Sequence, residues 1–217
     1  MALFARYYNN KVLIETSMDE IENLIKDEAN KAAIANAIFH RYYDRYLKVF
    51  YFQTDKTSSY TKTKNNSTYT VVRNEFDEEF KSGFSIMTNC CLLIETIATF
   101  FEGQNETKKS GKDTFKLVFQ KAGIYNNPLS CFANEDFYKN VRCGLLHQGE
   151  TYGKFLIRRD TSVLFDTANK TINAKLFCDN LKLFLNSYKD ELTNAKWDSD
   201  IWDKCRIKLR HIINNSR

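Results

Sequence analysis

The sequence predicts a mainly α-helical protein, an antiparallel helical bundle with a small appended β-hairpin, and three observations carry that expectation. Apolar residues recur at helical spacing over several long stretches, two of them longer than twenty residues. The 217 residues contain 1 Pro and 7 Gly, too few to turn the corners of a sandwich or barrel. Hydrophobic residues at 43% and aromatics at 14% supply ample apolar area for one core. A chain of this length fits a single domain over residues 1–217 better than two independent cores.

The elements follow in order. Ser17 and Glu20 form a capping-box pair, and Ile21, Ile25, Ala35, Ile38, Tyr42 and Phe50 then mark one long helix from about Met18 to Tyr51. Thr54 to Thr70 is polar, rich in Thr, Asn and Ser, and without period, which reads as a flexible connection. The helical period returns from Val71 through Phe76, Phe80, Met87, Cys91, Ile94 and Phe101, with Gly103 as a left-handed stop. These two long helices are expected to pair antiparallel. Asp113 to Lys121 is a shorter helix closed by Gly123, and Asn127-Pro128 breaks the chain before Asn134 caps a helix over about Glu135 to Gln148. KFLIRR and SVLFD, separated by Asp160-Thr161, read as the appended hairpin outside the helical core. Asn173 caps a further amphipathic helix, and Trp197 to Ile213 forms the last.

Thirty-two Lys and Arg against 27 acids leave a net charge of +5, which permits nucleic acid as a partner without demanding it. The stretch Lys204 to Arg217 is acid-free and basic, and could meet phosphates or form a solvated face; the second is the commoner fate of a charge run. The six cysteines form no CxxC pair and have no histidine at metal-ligand spacing, so neither a metal nor another cofactor is expected. The start MALFARYYNNK has no secretory pattern and no apolar run approaches ~18 residues, so the expected location is the cytoplasm, with no membrane partner.

The segment FYKNVRCGLLHQGE places Arg142 and His147 five positions apart. Two long helices, a loop, and a shorter helix bearing Arg, four residues and His resemble the HEPN superfamily, many of whose members are ribonucleases; RCGLLHQ with the hairpin and INAKLF after it is similar to one bacterial branch. The resemblance covers most of residues 17 to 193. It implies an HEPN-like bundle, catalytic roles for Arg142 and His147, RNA as substrate and a homodimer through the motif helix. It also suggests a toxin or defence effector, with an inhibitor or antitoxin protein as a further partner. The position after the motif Arg is usually polar, and here it is Cys143. A Tyr two places after the His is a modification target in some toxin members, and that position here is Gly149.

The residue chemistry stands beside the resemblance. An imidazole with an ordinary pKa of about 6.5 exchanges protons near neutrality, and a guanidinium grips two phosphate oxygens while charge builds during attack by an RNA 2′-hydroxyl. The reading is therefore a metal-independent endoribonuclease. On a regular α-helix, five steps of about 100° leave the two side chains ~140° apart, so one helix does not focus both on one phosphate. A homodimer with a composite Arg/His site resolves this, with Gly144 allowing two backbones to approach. Asn89 and Glu95 on the second long helix either orient Arg142 or lie on the edge of its apolar face. Two other readings remain: a catalytically weak HEPN-like module that binds RNA or protein, for which Cys143 argues, and a structural adaptor whose Arg142 and His147 are ordinary surface residues.

Overall fold

Aromatic and β-branched residues flank Asn9-Asn10, and strands β1 (Leu3–Asn9) and β2 (Val12–Ser17) form an antiparallel hairpin there that the sequence reading left out. The computed structural model describes residues 2–9, 11–50, 57–64, 67–74, 83–106 and 110–216. Phe4, Ala5 and Tyr7 turn the hairpin's inner face into the core. The expected capping box is present: Ser17 N–H donates to Glu20 Oε2 at 2.7 Å and Glu20 N–H to Ser17 Oγ at 3.1 Å.

The expected single helix from Met18 to Tyr51 is interrupted. Helix α1 (Met18–Leu24) ends at Ile25, and the Asp27 carboxylate accepts the Ala29 N–H at 2.9 Å, capping a 3₁₀ turn over Glu28–Asn30. A short acidic side chain that satisfies the backbone locally competes with continuation of the helix. Helix α2 (Lys31–Tyr42) then runs into a π-helical turn (Tyr43–Leu47).

The run expected to be an irregular connection holds strands β3 (Thr57–Lys64) and β4 (Ser67–Asn74), paired antiparallel from Thr57↔Asn74 to Lys64↔Ser67. Its Thr, Tyr and Val content favours a pleated backbone, so polarity alone was the wrong guide. The remainder of that run, 54–56 and 65–66, lies outside the described residues. Val71 is in strand β4, Phe76 and Phe80 lie outside the described residues, and helix α3 spans Gly83–Glu102. Gly103 at φ 63° stops α3, with Gln104 N–H donating to the Thr99 carbonyl at 3.0 Å. Its length and composition would suffice to cross a membrane, yet Ile86, Met87, Cys90, Cys91, Leu93 and Ile94 are buried inside the protein, making it a core helix.

Helix α4 (Gly111–Ile124) begins at the Ser110 cap. After the 3₁₀ helix Pro128–Phe132 and the motif segment come strands β5 (Leu156–Arg158), β6 (Phe165–Asp166) and β7 (Thr171–Asn173). The expected hairpin of β5 with β6 is replaced by a mixed sheet in which β7 lies between them, parallel to β5 and antiparallel to β6. Nor does the sheet lie outside the core, because Thr171, Ile172 and Asn173 are buried. Asn173 Oδ1 then accepts the Leu176 N–H at 3.0 Å and caps the long helix Ala174–Asn194, as expected.

The architecture is thus mainly helical. Helix α2 packs on the Ala174–Asn194 helix and on β1, while α3 meets the π turn after α2, together with α4 and the two C-terminal helices. The expected direct pairing of the first two long helices is therefore corrected to a packing in which α3 is central.

Candidate active site around Arg142 and His147

The motif segment is fixed from both ends. Asn127 accepts the Leu129 N–H at 3.0 Å and donates to the Asn180 carbonyl at 2.9 Å, tying the turn before Pro128 to the Ala174–Asn194 helix. Asn127, not Asn134, caps at this break. Phe137 then enters a ring cluster, 5.6 Å from Phe115, 5.3 Å from Phe132 and 5.5 Å from Phe177. Burial of one such ring stabilises the fold by roughly 1.5–3 kcal/mol. Val141 and Leu145 continue the inward face, so Leu145 packs into its own chain's core.

Between these anchors, Tyr138–Cys143 form a π-helical turn, and helix α5 (Gly144–Gln148) completes the segment. The following turn folds back along it. Gly149 at φ 69° ends α5, its N–H donating to the Leu145 carbonyl at 3.1 Å, and Tyr152 N–H donates to the Asn140 carbonyl at 2.7 Å. A Cβ on Gly144 would collide with the Glu150 carbonyl oxygen, so the close approach that Gly144 permits is to this turn of its own chain. It is not required for a second copy.

The expected separation is bridged all the same. His147 lies in α5, beyond the π turn that ends at Cys143, and the long Arg142 side chain reaches across to it. Arg142 Nη1 lies 3.5 Å from His147 Nε2 within one chain. The argument that a partner copy is needed to join the two groups is therefore overturned. If Nη1 donates across this gap, Nε2 carries the lone pair and the imidazole is neutral with its proton on Nδ1.

Glu95 is the group that holds Arg142. Nε donates to Oε1 at 2.9 Å and Nη2 to Oε2 at 3.2 Å, a two-point fork with side chains only 19% and 21% exposed. Burial acts to lower the Arg142 pKa, but the Glu95 hydrogen bonds and charge outweigh it and raise it. A guanidinium has five N–H donors. Glu95 takes two and His147 faces a third, so two remain for a ligand. His147 itself is exposed.

Of the other sequence candidates, Cys143 follows Arg142 in the chain and is half-buried. Asn89 is not brought to the site: its amide donates back to the Ser85 carbonyl, one turn earlier on α3, at 2.9 Å. Sequence reasoning missed Tyr138, whose ring lies 5.5 Å from the Arg142 guanidinium carbon. Its i to i+4 spacing from Arg142 was the available signal. Among the described residues, no group of three His, Cys, Asp or Glu side chains is placed to hold a metal ion.

The C-terminal helix Asp200–Asn215, which carries the basic run from Lys204 onward, has mostly committed its cations. Lys204 pairs with Asp200 at 2.7 Å, Arg206 with Asp203 at 2.5 Å and the Trp197 carbonyl at 2.9 Å, and the buried Lys208 donates to the Asn105 carbonyl at 2.6 Å. No protein-family model, curated protein or solved structure matches the chain.

Proposed function

We propose that the chain is a cytoplasmic, metal-independent endoribonuclease of HEPN-like type, acting through Arg142 and His147. The observation that carries this reading is the Glu95-held guanidinium, with two unspent donors, beside an exposed imidazole 3.5 Å away. In the proposed reaction the neutral His147 takes the proton of an RNA 2′-hydroxyl. That oxygen attacks the adjacent phosphorus while Arg142 donates to the non-bridging oxygens, where charge accumulates. The bond to the 5′-oxygen of the next nucleotide breaks, leaving a 2′,3′-cyclic phosphate and a 5′-hydroxyl that takes up a proton from water or from an imidazolium.

A homodimer through the motif helix remains part of the proposal, now as two complete pairs, each acting within its own chain. The role as a toxin or defence effector, restrained by an inhibitor or antitoxin protein, rests on the sequence resemblance alone.

A second reading, a catalytically weak module that binds RNA or protein through the same cleft, is favoured by one observation. The Glu95 carboxylate neutralises much of the charge that Arg142 would bring to a phosphate. Incubation of the purified protein with RNA in EDTA separates the two. Cleavage to 2′,3′-cyclic phosphate ends is expected; saturable binding without product would transfer the site to the second reading, and strict dependence on Mg²⁺ would remove the first.

A further inference from the structure

We propose that Tyr138 is a positioning residue for Arg142, and that Gly111, at the start of α4, is the seat that holds the Tyr138 ring in place. The proposal rests on the reading of Arg142 as the phosphate-binding group. A two-point fork such as that between Arg142 and Glu95 fixes one edge of the guanidinium, but leaves it free to tilt about the line joining the two carboxylate oxygens. The Tyr138 ring, 5.5 Å from the guanidinium carbon, closes that hinge by a cation–π contact.

The ring is itself held from two sides. It packs against Phe115, with ring centroids 5.8 Å apart. Gly111 lies so close that a Cβ there would stand only 2.0 Å from both Cε2 and Cζ of the ring. The backbone at that point is fixed in turn, because the Ser110 hydroxyl accepts the Asp113 N–H at 3.2 Å and so caps the 14-residue helix α4. The orientation of the two unspent Arg142 donors thus depends on α4, an element that touches neither Arg142 nor His147 through any hydrogen bond among the described residues.

The test compares wild type, Tyr138→Phe, Tyr138→Leu and Gly111→Ala, each verified as folded by circular dichroism. The Arg142 Nε–Hε resonance, assigned with Arg142→Lys, reports the ring's position without any need for activity. Its ring-current shift is expected to persist in Tyr138→Phe and to be lost in Tyr138→Leu and Gly111→Ala. On RNA in EDTA, the latter two are expected to lose roughly 10–100-fold in kcat with KM changed less than about 3-fold, and Phe to restore the rate. An unmoved resonance in Tyr138→Leu, or a Phe variant as poor as Leu, would overturn the proposal. Should wild type cut no RNA while the resonance behaves as expected, the ribonuclease reading falls and the positioning contact stands.

Discussion

Among the described residues, two π-helical turns have a histidine and an arginine close by, and they have opposite fates. At Tyr43–Leu47, His40 stacks on Tyr7 at 3.7 Å and Arg41, 9% exposed, donates to the Phe4 carbonyl at 2.5 Å, so both groups are spent on docking the N-terminal hairpin. At Tyr138–Cys143, Arg142 keeps two donors unspent and faces an exposed imidazole. A π turn is therefore no functional sign by itself. What separates the two regions is whether the polar groups beside the turn remain available to a ligand.

The largest effects should come from the available pair. Arg142→Ala and His147→Ala are each expected to cut RNA cleavage roughly 10²–10⁴-fold, His147→Ala with little change in melting temperature and Arg142→Ala with a loss of about 1–3 kcal/mol because Glu95 is left unpaired, whereas His40→Asn should leave the rate within about 2-fold. Arg41→Ala should show the reverse, losing about 2–4 kcal/mol in denaturant titration through lost packing and an unpaired Phe4 carbonyl, with kcat of the folded protein preserved. Glu95→Gln falls between the regions. It should cost about 1–2 kcal/mol of stability and lower kcat roughly 10–100-fold, because the guanidinium loses its charged partner.

A smaller contrast lies in pH. Burial holds the His40 imidazole below its ordinary range, against the opposing pull of Asp44 and with Lys48 and Lys189 adding to the depression. The native state therefore prefers it neutral. The contribution is complete above the unfolded value of about 6.5 and is lost as pH falls from there through the lower native value. His40→Asn should flatten the stability profile in that window, and an unchanged profile would place the acid sensitivity elsewhere. The smallest effect is expected from Arg210→Glu on the C-terminal helix, with RNA affinity and its salt slope altered less than about 2-fold, since most cations of that helix serve their own chain.

Much of this arrangement was legible in the sequence, and the remainder failed for identifiable reasons. Periodicity located the core helices, and residue type the Ser17 and Asn173 caps, because these depend on neighbours within a few residues; at Asn127-Pro128 the break was legible but the cap was expected at Asn134. The N-terminal hairpin was also legible from the aromatic and β-branched residues around Asn9-Asn10, but its segment was read only for targeting signals. The break at Asp27 was carried by one capping side chain against an otherwise continuous apolar period. At the site, Arg142 and His147 came from their spacing together with the family resemblance, and two roles were open to Glu95. The π turn was not legible. It is tied by the Tyr152 N–H to the Asn140 carbonyl, a contact that no local composition encodes. The ~140° separation took no account of the reach of the Arg142 side chain, and so produced the unnecessary demand for a composite site.

The most direct test of the single-chain pair is complementation. Arg142→Ala and His147→Ala proteins are unfolded and refolded together, so that any dimer re-forms with mixed subunits, and assayed on RNA in EDTA beside wild type treated identically. If Arg142 and His147 act within one chain, wild type cuts and the mixture stays as inactive as either variant alone. Recovery of cleavage in the mixture would mean that the two groups are drawn from different copies, and would contradict the account.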